Sequence, residues 1–316
     1  MMDWTDRHCR HFHRLMTKHA MLYTEMVTST AVIHGPHERL LGYSAPEHPI
    51  ALQLGGSDPA ELAHAVRVAA PYGYDEINLN VGCPSDRVQS GCFGAVMMER
   101  PQLVAACVAA MMAETSTPIT VKCRIGVDDQ NPDDVLPDFL EKVSAAGVAH
   151  FIIHARKAWL NGLSPKENRD IPPLDYPLVL RMKQQFPHLT ICINGGITSL
   201  EQAQTFLNQG LDGVMLGRAA YHDPASVLIG ADALWGTKTG AGRDAFQTVQ
   251  DMRPYITDHL ANGGRLHQIT RHMLGLFHGR PGARGWRRVL SDLANRPGAG
   301  LDVLDAALAA LYAATA

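Results

Sequence analysis

Seven short runs rich in β-branched residues alternate with longer amphipathic stretches, and most of the runs carry a polar side chain at or near the carboxyl end. The runs are residues 22–27, 50–55, 76–81, 119–125, 150–156, 190–195 and 213–217. Helical patterns fill 61–71, 102–114, 134–146, 177–185 and 200–208, several of them entered through Pro, Ser or Asp and left through Gly. Alternation of this kind builds a parallel sheet covered by helices. The polar residues are Gln53, Asn78 and Asn80, Lys122, His154 and Asn194, with Arg218 just past the last run. A doubly wound sheet collects such groups at one switch point, whereas a β/α barrel collects them from the carboxyl ends of many successive strands. Six contributing strands therefore predict an α/β fold of the TIM (β/α)8 barrel type.

Such a barrel wants eight strands. The chain opens instead on Asp3-Trp4-Thr5-Asp6 and a helical pattern over 7–19, so the first strand is expected to be missing from this chain and the native start to lie upstream of Met1. Strand signals stop near residue 224, and helical patterns follow at 245–262, 265–277, 286–294 and 301–313. The expected division is a barrel over residues 1–224 and a helical domain over 225–316.

Composition excludes several classes. At 46% hydrophobic and 19% charged residues, the chain is ordinary globular material, neither disordered nor collagen-like. A net charge of −3 is not that of a polycation that coats nucleic acid. The charge is nevertheless uneven: residues 264–296 hold seven arginines (265, 271, 280, 284, 287, 288 and 296) against the single acid Asp292, a local basic patch beside Phe277 and Trp286. On charge alone, a solvated helix face explains that patch equally well. No window holds eighteen consecutive apolar residues and the first twenty lack an apolar leader stretch, so a cytoplasmic location is expected. The six cysteines form no C-x-x-C pair, which leaves reduced thiols as the default.

Four motifs carry chemistry. Asn194-Gly195-Gly196 and Gly217-Arg218 end the last two runs, where a β/α barrel places its phosphate site. Lys122 ends an apolar run and should face either a ligand or a buried carboxylate, since an unpaired buried ammonium is costly. Beside a flavin it could stabilise the charge of the reduced pyrimidine edge. Cys83 sits between Gly82 and Pro84 on the loop after the third run, placed to supply a proton or a nucleophile. Cys107 and Cys123 read as packing residues, while Cys9 and Cys92 stay open, the latter in Ser90-Gly91-Cys92-Phe93-Gly94 on the same loop as Cys83. Finally His154, even odds between a core residue and a ligand contact, opens a loop running to Pro173 that carries Lys157, Lys166 and Arg169 and suits a large anionic substrate.

The segments Met1-Met2-Asp3-Trp4-Thr5-Asp6-Arg7, Leu-Gln-Leu-Gly-Gly-Ser at 52–57, Glu-Ile-Asn-Leu-Asn-Val-Gly-Cys-Pro-Ser at 76–85, His-Ala-Arg-Lys-Ala-Trp-Leu at 154–160, Leu-Ser-Pro-Lys-Glu-Asn-Arg at 163–169 and Gly-Arg-Ala-Ala-Tyr at 217–221 together resemble the tRNA-dihydrouridine synthases, most closely their bacterial A-type subfamily. The resemblance runs from residue 1 to about 224, with weaker motifs at 279–288. It departs in one place: relatives carry an apolar strand ending in Ala-Pro before the Met-Met-Asp motif. The resemblance implies an FMN enzyme that uses NADPH to reduce the C5=C6 bond of D-loop uridines in tRNA, at positions 20 and 20a. It implies Met1, Met2, Gln53, Lys122, His154, Asn194, Gly195, Gly196, Gly217 and Arg218 as FMN contacts, Cys83 as the acid, and Asn80, Arg169, Arg284 and Arg287 as tRNA contacts. Two other readings remain: a flavin barrel acting on a free pyrimidine, like dihydroorotate dehydrogenase, and a non-catalytic RNA-binding protein on the same fold.

Overall fold

The structure is a computed structural model that describes residues 1–85, 92–236 and 244–313. Seven strands form one parallel sheet in sequence order: β1 (Leu22–Thr28), β2 (Ile50–Gly55), β3 (Glu76–Val81), β4 (Ile119–Arg124), β5 (His150–His154), β6 (Thr190–Asn194) and β7 (Gly213–Met215). The sheet curls into a half-barrel of the TIM type, and among the described residues no eighth strand joins β7 to β1.

Helices α1 (Arg7–Arg14), α2 (Ser29–His34) and α3 (His37–Leu41) belong to the amino-terminal third. The crossover helices are α4 (Pro59–Ala69), α5 (Pro101–Met112), α6 (Pro132–Ala145), α7 (Tyr176–Gln185) and α8 (Leu200–Asn208). Four of them start one or two residues before the sequence pattern places them, and each holds a proline in its first turn, where the missing N–H costs nothing. Asp58, Asn131 and Ser199 cap α4, α6 and α8 by accepting from first-turn amides.

The apolar core fills the space between sheet and helices. Ile77, Leu79 and Val81 of β3, Ile119, Val121 and Cys123 of β4, and Phe151 and Ile153 of β5 all belong to it. Their alternate neighbours Glu76, Asn78, Asn80, Thr120, Lys122, Arg124, His150, Ile152 and His154 do not, so the opposite face of these strands is polar except at Ile152.

Beyond β7 the chain continues as α9 (Arg218–His222), α10 (Pro224–Leu228), α11 (Ala245–Ala261), α12 (Leu266–Thr270), α13 (Ala283–Leu293) and α14 (Leu301–Tyr312). A second apolar cluster forms around Trp286, Phe277, Met252 and Leu304, and it includes Phe12 and Met16 from the amino-terminal segment. Two helices are shorter than their apolar pattern. The pattern over 7–19 stops at Arg14, because the Asp232 carboxylate accepts from the Thr17 hydroxyl and from the Lys18 and His19 amides, while the Arg14 guanidinium donates to the Thr17 and Ala20 carbonyls. The pattern over 265–277 is helical only to Thr270: the Trp286 indole donates to the Met273 carbonyl at 3.0 Å, and Gly275 lies so close to the His222 carbonyl that a Cβ would meet it at 2.3 Å. Among the described residues no helix is long and apolar enough to cross a membrane.

Candidate active site

The polar face of the sheet is a connected network. The Gly82 and Cys83 amides both donate to Asn80 Oδ1 at 3.0 Å, and Asn80 Nδ2 donates to Gln53 Oε1 at 2.9 Å. Gln53 Nε2 donates to Asn78 Oδ1 at 2.9 Å, and Asn78 Nδ2 to Thr120 Oγ1 at 2.8 Å. Parallel register sets this ladder: Gln53 lies opposite Asn78, Asn78 opposite Thr120, and Asn80 opposite Lys122. Gln53 and Asn78 are buried, so these bonds satisfy groups that water does not reach.

Next to the ladder, at the carboxyl ends of β4 and β5, the network turns cationic. Lys122 is partly buried and forms no ion pair or hydrogen bond among the described residues, and burial, reinforced by Arg124, lowers its pKa to about 8. Arg124 is buried and uses its guanidinium to join three segments, donating to the carbonyls of Gly82 at 3.0 Å, Lys157 at 2.9 Å and Asn168 at 3.0 Å. Burial and the charges of Arg124, Lys122, Arg156 and Arg218 hold the His154 imidazole far below its usual pKa, hence neutral near pH 7. His154 Nδ1 and Arg156 Nε are buried and have no hydrogen-bond partner among the described atoms. Arg218 pairs with Asp170 of the long loop at 3.0 Å, and exposed Arg169 sits close enough to feel its charge.

The two glycine motifs lie where the β6 and β7 chains end. Gly195 (φ 109°) and Gly196 (φ 70°) both adopt conformations that favour glycine. A Cβ on Gly196 would meet Leu174 Cδ1 at 2.5 Å and the Tyr176 hydroxyl at 2.9 Å, and one on Gly195 would meet His154 Nε2 at 3.1 Å. The amides of Gly195, Gly196, Gly217 and Arg218 donate to no protein acceptor among the described residues, which leaves them for an anion. Asn194 ties the two strand ends together by donating to the Met215 carbonyl at 2.8 Å. Met1 reaches the same place, its sulfur 3.5 Å from where a Gly217 Cβ would stand, while Met2 is 60% exposed.

Cys83 is partly exposed on the loop after β3, held at its amide by Asn80 and at its carbonyl by the Ala95 amide at 2.9 Å. Lys122, Arg124 and Arg169 all lie within electrostatic reach of its sulfur. Burial pushes the Cys107, Cys123 and Cys192 thiols up to about 12, and Cys9 is also driven upward, so none of these is a ready nucleophile or acid. Cys92 is exposed, and its companions Ser90 and Gly91 lie outside the described residues. Arg284 and Arg287 stand apart from all of this, exposed with Arg288 on the outer face of α13, whose inner face buries Ala283, Trp286 and Leu290.

Arg124, Arg156, Thr120 and Glu76 escape a reading that takes only the polar residue at the end of each run. The signal that finds Glu76, Thr120 and Arg124 is alternation: Glu76, Asn78 and Asn80 on β3, and Thr120, Lys122 and Arg124 on β4, are polar at every second position of strands whose other positions are core; Arg156, past the end of β5, carries no such signal.

Backbone amides without a protein acceptor, a neutral histidine with an orphaned nitrogen and an unpaired lysine lie together at the carboxyl rim of a curled β/α sheet, the end at which enzymes of this architecture place their sites. The dihydrouridine synthase (Dus) family profile matches residues 1–312. A tRNA-dihydrouridine(20/20a) synthase of Vibrio vulnificus is 57% identical over 310 residues, spanning 98% of this chain and 94% of that protein. Proteins of the same description from Shewanella oneidensis (58% over 305 residues; 96% and 90%) and Escherichia coli O6:H1 (58% over 309 residues; 98% and 92%) are equally similar. The chain belongs to the dihydrouridine synthase family.

Proposed function

We propose that this chain reduces uridine to 5,6-dihydrouridine at positions 20 and 20a of the tRNA D-loop, with FMN bound at the barrel rim and NADPH as reductant. Enzymes of this family are flavin-dependent, and the relatives named above are tRNA-dihydrouridine(20/20a) synthases. The observation that carries the reading on this chain is Lys122. An ammonium brought into a half-buried site without a carboxylate needs a ligand to offset its desolvation, and the buried, unpaired His154 Nδ1 beside it calls for the same ligand. The residues present therefore fit FMN: the Gly195, Gly196, Gly217 and Arg218 amides for its phosphate, Lys122, His154 and Gln53 for its ring edge, with Met1, Met2 and Asn194 at the rim.

FMN, when bound, supplies a hydride taken from NADPH and given to uracil C6. The protein does the rest. Lys122 stabilises negative charge on the pyrimidine edge of the ring system. Cys83 transfers its thiol proton to C5, because hydride addition leaves enolate-like charge across C5 and O4. Solvent then returns the proton to the sulfur. Asn80 holds the Cys83 loop by its amides, and Arg124 ties that loop to the 157–169 segment, so the acid has a fixed position when the base arrives. A site at the rim of a barrel admits a base only after it leaves its stack. On this reading Arg169 of the long loop, and Arg284 and Arg287 of a helical unit over 225–316, contact tRNA phosphates, while residues 1–224 serve as the FMN-binding barrel.

Flavin absorbance of the purified protein, followed by a tRNA gel shift and dihydrouridine mapping in a deletion strain, tests the reading. A yellow protein that shifts tRNA, and a strain that loses dihydrouridine at 20 and 20a, are expected. A yellow protein blind to tRNA would point to a free pyrimidine, and a colourless one that binds tRNA to a non-catalytic RNA-binding protein.

A further inference from the structure

Glu76 takes no part in the chemistry above, yet the polar ladder ends on it. It is the first residue of β3, at the opposite end of the strand from Cys83, and it is 5% exposed. Its Oε1 accepts from Thr120 Oγ1 at 2.7 Å and from the Tyr23 hydroxyl at 2.7 Å, and its Oε2 faces His150 Nδ1 at 3.6 Å.

The direction of the ladder is fixed by chemistry at its Cys83 end. The Gly82 and Cys83 amides can only donate, so the Asn80 atom facing them must be oxygen, and its nitrogen must face Gln53. The same logic orients Gln53 and then Asn78, whose nitrogen reaches Thr120. The Thr120 hydroxyl, having accepted, has one proton to give, and Glu76 Oε1 receives it. No amide in this chain can turn over alone without setting oxygen against oxygen and N–H against N–H. Both lone pairs of Asn80 Oδ1 are taken, so Asn80 has a single N–H left to offer, a donor suited to a carbonyl acceptor on an incoming ring.

We infer that Glu76, acting through Thr120, is a positioning residue: it closes the ladder whose polarity the Gly82 and Cys83 amides set at the other end, and so helps hold Asn78, Gln53 and Asn80, and with them the Cys83 loop, in one arrangement. Its effect on the reaction rests on the function proposed above, whereas its effect on the loop does not. The test compares the full-length protein with Thr120→Val, which replaces the last hydroxyl of the ladder by a methyl group, Thr120→Ser, which keeps it, and Tyr23→Phe, which removes the other donor to Glu76 but leaves the ladder whole. Two quantities are read: the rate of Cys83 alkylation by iodoacetamide, followed by peptide mass spectrometry, and the single-turnover reoxidation of reduced flavin by tRNA.

In Thr120→Val, alkylation should rise at least about threefold as the loop loosens, and reoxidation should fall about 10- to 100-fold through misplacement of the acid. Thr120→Ser and Tyr23→Phe should stay within about twofold of wild type on both measures. Wild-type alkylation in Thr120→Val overturns the inference, as does a serine variant as impaired as the valine one, or a Tyr23→Phe variant that matches it. Thr120→Ala repeats the test should the valine variant not fold. If wild-type flavin is not reoxidised by tRNA, the proposed function fails, and alkylation of Glu76→Gln, which keeps an acceptor for Thr120 and should stay within about twofold of wild type, against Glu76→Leu, which removes it and should match Thr120→Val, still decides the role of Glu76.

Discussion

The barrel rim and helix α13 both present positive charge, but in opposite physical settings. At the rim, Arg124 is buried and spends its donors on three carbonyls, and burial lowers its pKa to about 10 and that of Lys122 to about 8. On α13, Arg284, Arg287 and Arg288 are exposed and form no ion pair among the described residues. A charge held out of water is strong, little screened and sensitive to the geometry of one ligand. A charge in water is screened, and acts mainly by releasing counterions from a polyanion. One chain thus carries buried charge that suits one defined ligand, and surface charge that suits a long, repetitive polyanion.

The sharpest break in that comparison is at Cys83, which sits at the rim but belongs to the chemistry. Cys83→Ala should keep flavin binding and NADPH oxidation by a small acceptor, while single-turnover reoxidation by tRNA falls roughly 10²- to 10⁴-fold, the usual worth of a positioned acid. Cys92→Ala, exposed on the same loop, should reoxidise at the wild-type rate. Equal rates in both variants would assign the proton to water or to another side chain.

Lys122→Met tests the claim that the rim charge is desolvated for a ligand. FMN affinity, measured by fluorescence titration, should fall about 10- to 100-fold, the loss of one charged hydrogen bond in a buried setting. The flavin-free variant should at the same time be more stable to urea than flavin-free wild type by about 1–3 kcal/mol, because the uncompensated ammonium is gone. Lower stability in the variant would mean that Lys122 is already paired in the free protein.

Arg284→Ala combined with Arg287→Ala should leave FMN content untouched. It should weaken tRNA binding and flatten the slope of log affinity against log salt by up to about two units. An unchanged slope would return α13 to an ordinary solvated face. A pH dependence peculiar to the rim is also expected. The Lys122 pKa is lowered from 10.5 to about 8 on folding, so between those values the unfolded chain holds a proton that the folded chain has released. Flavin-free stability should therefore rise with pH across that window, and the rise should vanish in Lys122→Met but persist in the α13 double variant.

Much of the site was legible because strand periodicity and strand ends are local properties. The boundaries of β2 and β3 agree with the sequence pattern, and His154, Asn194 and Lys122 fall at or near the ends of their strands as the pattern places them. Helix ends were less legible where a distant group competes for the backbone, as Asp232 does beyond Arg14 and Trp286 does at Met273. The two readings of Lys122, ligand contact or structural ion pair, could not be separated by pattern, since the residues packed around it come from other strands. The structure offers it no carboxylate among the described residues.

What the sequence determined by itself was the parallel β/α architecture, the rim position of the polar residues, the glycines that an anion cradle requires, and the arginine-rich tail, because each follows from spacing along one segment. Tertiary structure decided that Arg124 joins three loops, that the amino-terminal helix shares its core with the tail through Phe12 and Met16, and that five side chains form one directed ladder from Cys83 to Glu76. Those outcomes depend on register between strands and on which buried donors find which acceptors. A hydrogen bond between residues more than twenty positions apart leaves no local trace in composition or periodicity until the strands that carry them are aligned.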